Sequence, residues 1–196
     1  MRAFGWLVLI LSVLGLIIAS NVFFVVRQSQ QAIVLQVGRP VALINEPGTD
    51  EAGLHMKLPI IQQVEIIDKR NLGLDIEGIE VLASDQRRLR VDAFVRWRIN
   101  DPLRYYQRFR TELAAESQLN RITTSAIREV LGDVPVPEIV SGQRAQLMGR
   151  IRTSVNTGLA ADGIDIIDVR IRQADLPNEV AEGVYNRMRT ARLQEA

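Results

Sequence analysis

Hydrophobic residues are spread unevenly along this chain. Residues 3–26 (AFGWLVLILSVLGLIIASNVFFVV) contain no charged side chain, and Arg2 and Arg27 close the run at its two ends. As a helix rising about 1.5 Å per residue, such a run reaches roughly 36 Å, more than a hydrocarbon core about 30 Å thick requires. The pattern predicts one N-terminal transmembrane helix within residues 1–27. The rival reading is a cleaved signal peptide, since Ala19 and Ser20 are small. Ile18 fits poorly three residues before a cut, and residues 22–26 carry the apolar run beyond it, so an uncleaved anchor is preferred. Arg2 and the terminal amine on one side balance Arg27 and Arg39 on the other, and charge alone leaves the orientation open.

Past the anchor the period of the pattern falls towards two. Residues 31–37 (QAIVLQV) and 41–44 are short β-rich runs separated by Gly38, Arg39 and Pro40. Residues 45–53 (NEPGTDEAG) collect turn formers, and extended character resumes over 54–59 and 64–68. This first third reads as a small meandering sheet. The clearest strand covers 89–99, where Leu89, Val91, Ala93, Val95, Trp97 and Ile99 share one face. Its other face carries Arg90, Arg96 and Arg98, with Arg88 just ahead of it, around Asp92.

Asn100, Asp101 and Pro102 stop that strand and start a helix. Two longer helices are expected next. One carries Leu119, Ile122, Ala126, Ile127 and Val130 and ends at Gly132 and Asp133; the other carries Leu147, Ile151, Val155 and Leu159 and closes at Gly163. Residues 164–171 (IDIIDVRI) form another strand, whose apolar side changes between Ile166 and Ile167 as a bulge would cause. From Pro177 a final helix carries Val180, Val184, Met188 and Ala191, with no cap, proline or glycine to end it. A narrow stripe of that kind is expected to run on into a long helix or coiled coil, the sequence being a truncated piece.

Composition adds mainly exclusions. Twenty-four cations against 23 acids give a net charge of +1, so no bulk field draws this protein to nucleic acid. Only Lys57 and Lys69 are lysine, an imbalance that reads as genome bias before it reads as chemistry. Cysteine is absent, which removes disulfides, thiol nucleophiles and thiolate metal sites. His55 is the only histidine, so any Ser-His or His-metal arrangement must use it; a structural role is the preferred reading. The acid pairs Asp50 and Glu51, Asp165 and Asp168, and Glu112 and Glu116 lack the framing of a glycosidase or phosphate site. No dinucleotide, phosphate-loop, nucleophile-elbow or zinc-protease motif occurs. A serine and lysine dyad would have to draw on Lys57 or Lys69. The chain is thus expected to hold no catalytic, cofactor-binding or metal site, to use no cofactor, and to bind neither nucleic acid nor a small-molecule substrate. The arginine face of Arg88, Arg90, Arg96 and Arg98 could meet lipid headgroups, RNA or a partner's acids; ion pairs within the fold or to a neighbouring subunit are preferred.

These residues resemble a known family. Residues 53–59 (GLHMKLP) with 68–70 (DKR), residues 91–99 (VDAFVRWRI) with Asp101, Arg104, Tyr105 and Tyr106, and above all 163–189 (GIDIIDVRIRQADLPNEVAEGVYNRMR) are similar to the SPFH or Band 7 superfamily. That superfamily comprises stomatins, prohibitins, flotillins and the bacterial HflK and HflC proteins, and the HflC branch is the most similar. The likeness runs through essentially the whole chain. Ala52, where relatives often have proline, and the short turn from Leu159 to Gly163 depart from it.

The resemblance implies an α+β fold. A single N-terminal transmembrane anchor (1–27) would be followed by a first, mostly β SPFH subdomain (28–97), a second, α/β subdomain (98–176), and the start of a C-terminal coiled-coil helix (177–196). It implies a non-enzymatic scaffold that assembles with an HflK-like subunit into a large ring or cage and regulates an FtsH-like AAA protease. The setting would be the bacterial inner membrane, with the N-terminus cytoplasmic, the soluble domain periplasmic, and membrane lipids as further partners. The alternatives are a stomatin-like organiser of lipid microdomains and, behind it, an anchored protease using His55, Lys57 or Lys69.

Overall fold

A computed structural model describes residues 21–140 and 144–175. The expected anchor residues 3–20 and the C-terminal stripe from Val180 to Ala191 lie outside them. The described chain begins with a correction. Phe23–Val26 do not continue an apolar helix; they form β1, paired antiparallel with β4 (Gly53–Met56). Phe23, Phe24, Val25 and Val26 are aromatic or β-branched, and pairing with β4 satisfies backbone groups that hydrophobicity alone does not weigh. Among the described residues no helix is long and apolar enough to cross a membrane.

The described residues form two compact units, the first from 21–70 and 99–108, the second from 71–98, 109–140 and 144–175. This division differs from a cut between residues 97 and 98. Pairing explains the difference: β6 (Leu72–Leu82) joins β7 (Arg88–Ile99) over almost its full length, so both belong to the second unit's sheet.

In the first unit β2 (Gln30–Gln36) lies between β3 (Arg39–Ile44) and β5 (Gln62–Asp68), antiparallel to both. Val37 and Gly38, at φ +50° and +78°, make the two-residue turn from β2 to β3, a left-handed geometry that suits the twist of a tight hairpin. Ala32, Ile33, Val34 and Leu35 are all buried, so β2 is covered on both faces. The expected single meander is instead this sheet plus the separate β1–β4 ribbon. A short helix, α1 (Pro102–Arg108), packs against β2. Its start is as expected: Asp101 Oδ1 accepts the Arg104 N–H at 3.0 Å, and proline occupies the first helical position.

In the second unit the sheet order is β6-β7-β8, with β8 covering Ile164–Asp175. All six apolar positions of β7 are at most 3% exposed, as their alternation predicts. The helices α2 (Glu112–Gly132) and α4 (Arg144–Leu159) pack on β6 and β8 and on each other, and the one-turn α3 (Val136–Val140) precedes α4. Leu147, Ile151, Val155 and Leu159 are the buried row of α4, and each such burial contributes about 1.5–3 kcal/mol. Thr111 caps α2 by accepting the Ala114 N–H. In β8 the buried set moves from Ile164 and Ile166 to Val169 and Ile171, the expected change of phase.

Two features close this sheet. Between Ile76 and Ile79 the β6–β7 register slips by one residue, Gly78 takes φ +69°, and its N–H donates to Asp92 Oδ1 at 2.7 Å. Along β8, side chains of α4 stand in for a further strand. Ile166 N–H donates to Asn156 Oδ1 at 2.7 Å, Asn156 Nδ2 and Arg152 Nε donate to Ile166 O at 3.2 and 3.0 Å, and Arg144 donates to Ile171 O. An edge whose backbone groups are taken in this way is a poor template for another strand.

Candidate interaction surfaces

The first unit leaves a run of large apolar side chains in the open. Cross-strand partners in an antiparallel pair share a face. Phe23 opposite Met56 and Val25 opposite Leu54 therefore put four apolar side chains on one side of the β1–β4 ribbon, and all four are exposed. The chain continues into Leu58, Ile60 and Ile61, of which Ile60 is 94% exposed. Val37, at the hairpin tip, donates its N–H to Ile61 O at 3.3 Å and adds a further exposed side chain. Isolated exposed hydrophobics are ordinary, whereas a run of this extent marks a surface built to be covered.

Behind this rim a polar knot fixes the loops. Asn45, 1% exposed and at φ +58°, donates through Nδ2 to Gln30 O at 2.6 Å and more weakly to Arg27 O and Gln28 O. Lys69 Nζ donates to Asn45 Oδ1 at 2.9 Å and to Thr49 O at 3.0 Å. His55 Nε2 lies 2.7 Å from Glu51 O, and its ring faces Phe24 across 5.8 Å. Lys69 and His55, the residues a serine or metal chemistry would need, thus hold loops in place. Lys57 contributes its backbone N–H to Val22 O at 2.7 Å. Among the described residues no three His, Asp or Glu side chains converge as a metal site. Asp68 is held below the usual carboxylate range, chiefly by its hydrogen bonds from the Arg70 side chain, against a smaller opposing cost of burial.

The arginine face lies on the outer side of the second unit's sheet, where acids meet it in kind. Arg98 pairs with Asp165 at 2.8 Å, and Glu80 stands opposite Arg90 in register. Arg172 of β8 reaches over the Phe94 ring, 5.6 Å from its centroid, to Asp75 of β6 at 2.6 Å, and so ties all three strands. Asp168 is paired with Arg170 at 2.6 Å. Arg88, Arg90 and Arg96 have no ion-pair partner among the described residues. Interleaved acids weaken any single-sign attraction this face could exert on an anionic bilayer.

A family model described as SPFH domain / Band 7 family matches residues 24–196, nearly all of the chain beyond the uncharged N-terminal run. The chain belongs to this family. Its relatives include Protein HflC of Buchnera aphidicola from Acyrthosiphon pisum, 36% identical over 92% of this chain and 64% of the relative. Protein HflC of Haemophilus influenzae is 34% identical over 72% of the chain and 50% of the relative. The Escherichia coli K12 protein named Modulator of FtsH protease HflC is 29% identical over 94% and 68%. The chain therefore spans less than two thirds of the length of the Buchnera relative.

For this Band 7 chain, reading the sequence missed Asn45 and Asn156, the two side chains that fasten each unit's loops and edge. Asn45 sat inside a recognised turn cluster, where asparagine's tolerance of the left-handed region was a usable signal. Asn156 offered none, because its partner Ile166 is chosen by how α4 meets β8.

Proposed function

We propose that this SPFH chain is a non-enzymatic, membrane-anchored scaffold that assembles with an HflK-like subunit and regulates the access of an FtsH-like AAA protease to membrane substrates. The observation that carries the membrane part is the exposed apolar rim of Phe23, Val25, Leu54, Met56, Leu58 and Ile60, which begins within the uncharged run 3–26. Lipid at the headgroup boundary would cover such a rim: β1 and β4 satisfy the backbone groups that face each other, and their outer edges, which hydrocarbon cannot satisfy, would stay at headgroup level. Lipids then enter as partners through apolar contact rather than through the arginine face. The protease and subunit parts are supported by family membership and by the printed name of the Escherichia coli relative. The anchor would cross the inner membrane with its N-terminus in the cytoplasm and both units in the periplasm. Lys69 and His55 have structural work in the first unit, which supports a scaffold over an anchored hydrolase.

The test is purification of the tagged full-length protein from its own membranes in mild detergent, with native size and partners read by mass spectrometry. A very large particle holding an HflK-like subunit and an FtsH-like protease is expected. A monomer with neither, under the same conditions, overturns the proposal.

A further inference from the structure

The second unit carries a groove of about 480 Å³ between α4 and β8 whose charge is not balanced. Arg144, Arg152 and Arg170 line it together with Ala145, Met148 and Ile171, and the one carboxylate among its walls, Asp168, is already paired with Arg170. Arg144 and Arg152 are aimed by backbone carbonyls, those of Ile171 and Ile166, and neither has an ion-pair partner among the described residues. A carbonyl orients a guanidinium without neutralising it, and five donors leave several N–H groups for a ligand. The groove continues along α4 past Gly149 and Arg152 into a second hollow of about 530 Å³ that reaches Ala160.

We infer that this groove binds an extended acidic peptide segment bearing two carboxylates four residues apart. Arg144 and Arg152 are eight positions apart on one helix, or about 12 Å along its axis. Four residues of extended chain cover about 13 Å and return their side chains to the same face, so acids at i and i+4 meet both cations. A single phosphate or headgroup reaches only one of them. Met148, Ala145 and Ile171 between the cations give the intervening residues an apolar floor. The inference concerns the second unit alone and does not rest on the membrane proposal.

The test uses the whole chain in a neutral detergent and a fluorescein-labelled glycine-serine peptide with two glutamates four residues apart, its binding followed by anisotropy. The same peptide with glutamines is expected to bind roughly tenfold more weakly or worse, and the glutamate peptide to weaken as salt rises. Gly149→Glu places a carboxylate in the groove, where an added Cβ meets nothing within 4 Å. It should cut binding roughly tenfold without lowering the melting temperature, since glycine is a poor helix former, while Gly149→Ala keeps binding. Equal binding of the two peptides, or full binding by Gly149→Glu, would each overturn the inference.

Discussion

Ten of the twelve large apolar side chains that stay exposed in the described residues belong to the first unit; the second leaves only Leu82 and Leu113 in the open. Both units are built on a three-stranded sheet, so sheet size does not explain the difference. What differs is what covers the strands. In the second unit α2 and α4 bury one face of β6-β7-β8, and the other face is polar, with Arg98 and Arg172 paired to Asp165 and Asp75. In the first, only the one short helix α1 packs on β2, and the β1–β4 ribbon turns four large apolar side chains outward. The second unit thus buries nearly all its large apolar side chains within itself, whereas the first leaves ten of them in the open.

The largest effect that sharpens this contrast is expected at Trp97, fully buried in β7. Trp97→Ala should cost about 3–5 kcal/mol in denaturant unfolding, from the lost burial and the cavity it leaves. Trp97→Phe should cost much less, because the indole N–H has no hydrogen-bond partner among the described residues. If the two changes cost the same, β7 is not the packed centre described above. Asn45→Ala comes next, at about 1–3 kcal/mol: it removes the amide donor to the Gln30 carbonyl, leaves the Lys69 amine only Thr49 O, and puts alanine at positive φ. Melting measurements on both variants should rank them in this order.

Membrane affinity separates the units in the opposite direction. Ile60→Ser should not lower the unfolding free energy, since the side chain is exposed and serine removes a β-branched residue from the left-handed region at φ +74°. It should weaken partition of the chain into neutral lipid vesicles by up to about 1.5–3 kcal/mol if that side chain, 94% exposed, becomes buried in lipid. Leu82→Ser in the second unit should change neither. Flotation of the variants with vesicles reads the difference directly, and an equal effect at Leu82 would remove the distinction between the two surfaces.

Legibility in the sequence followed the kind of signal involved. β7, α2 and α4 were readable because packing on one side only imposes strict periods of two or near four on Leu89 to Ile99, Leu119 to Val130 and Leu147 to Leu159. β6 was not, because the bulge at Gly78 moves its apolar set from Leu72, Leu74 and Ile76 to Ile79 and Val81, and a broken alternation resembles a loop. β1 was absorbed into the apolar run before it, since a short apolar strand and an apolar helix have the same composition. The division into units was hidden for a topological reason: residues 99–108 return to the first unit after β7, and no local pattern records a return. Of the surfaces, the arginine face was legible by alternation, but its acids on β6 and β8 were not, since Asp75 and Asp165 become its neighbours only through strand pairing. The groove cations Arg144 and Arg152 went unread for the same reason.

The smallest expected effect concerns Asp68, at the end of β5 in the first unit, where Arg70 lowers its pKa. A carboxyl whose folded pKa is depressed binds its proton less readily in the folded state than in the unfolded one. Its contribution is therefore present above the unfolded value, about 3.9, and is lost as the pH falls through the lower folded value. Because the Arg70 side chain is 70% exposed, solvent screens the pair and the contribution is small. Asp68→Asn should leave the melting temperature at pH 7 almost unchanged and flatten the acid limb of the stability curve slightly below about pH 4. An acid limb that Asp68→Asn leaves unchanged would remove this contribution from the first unit.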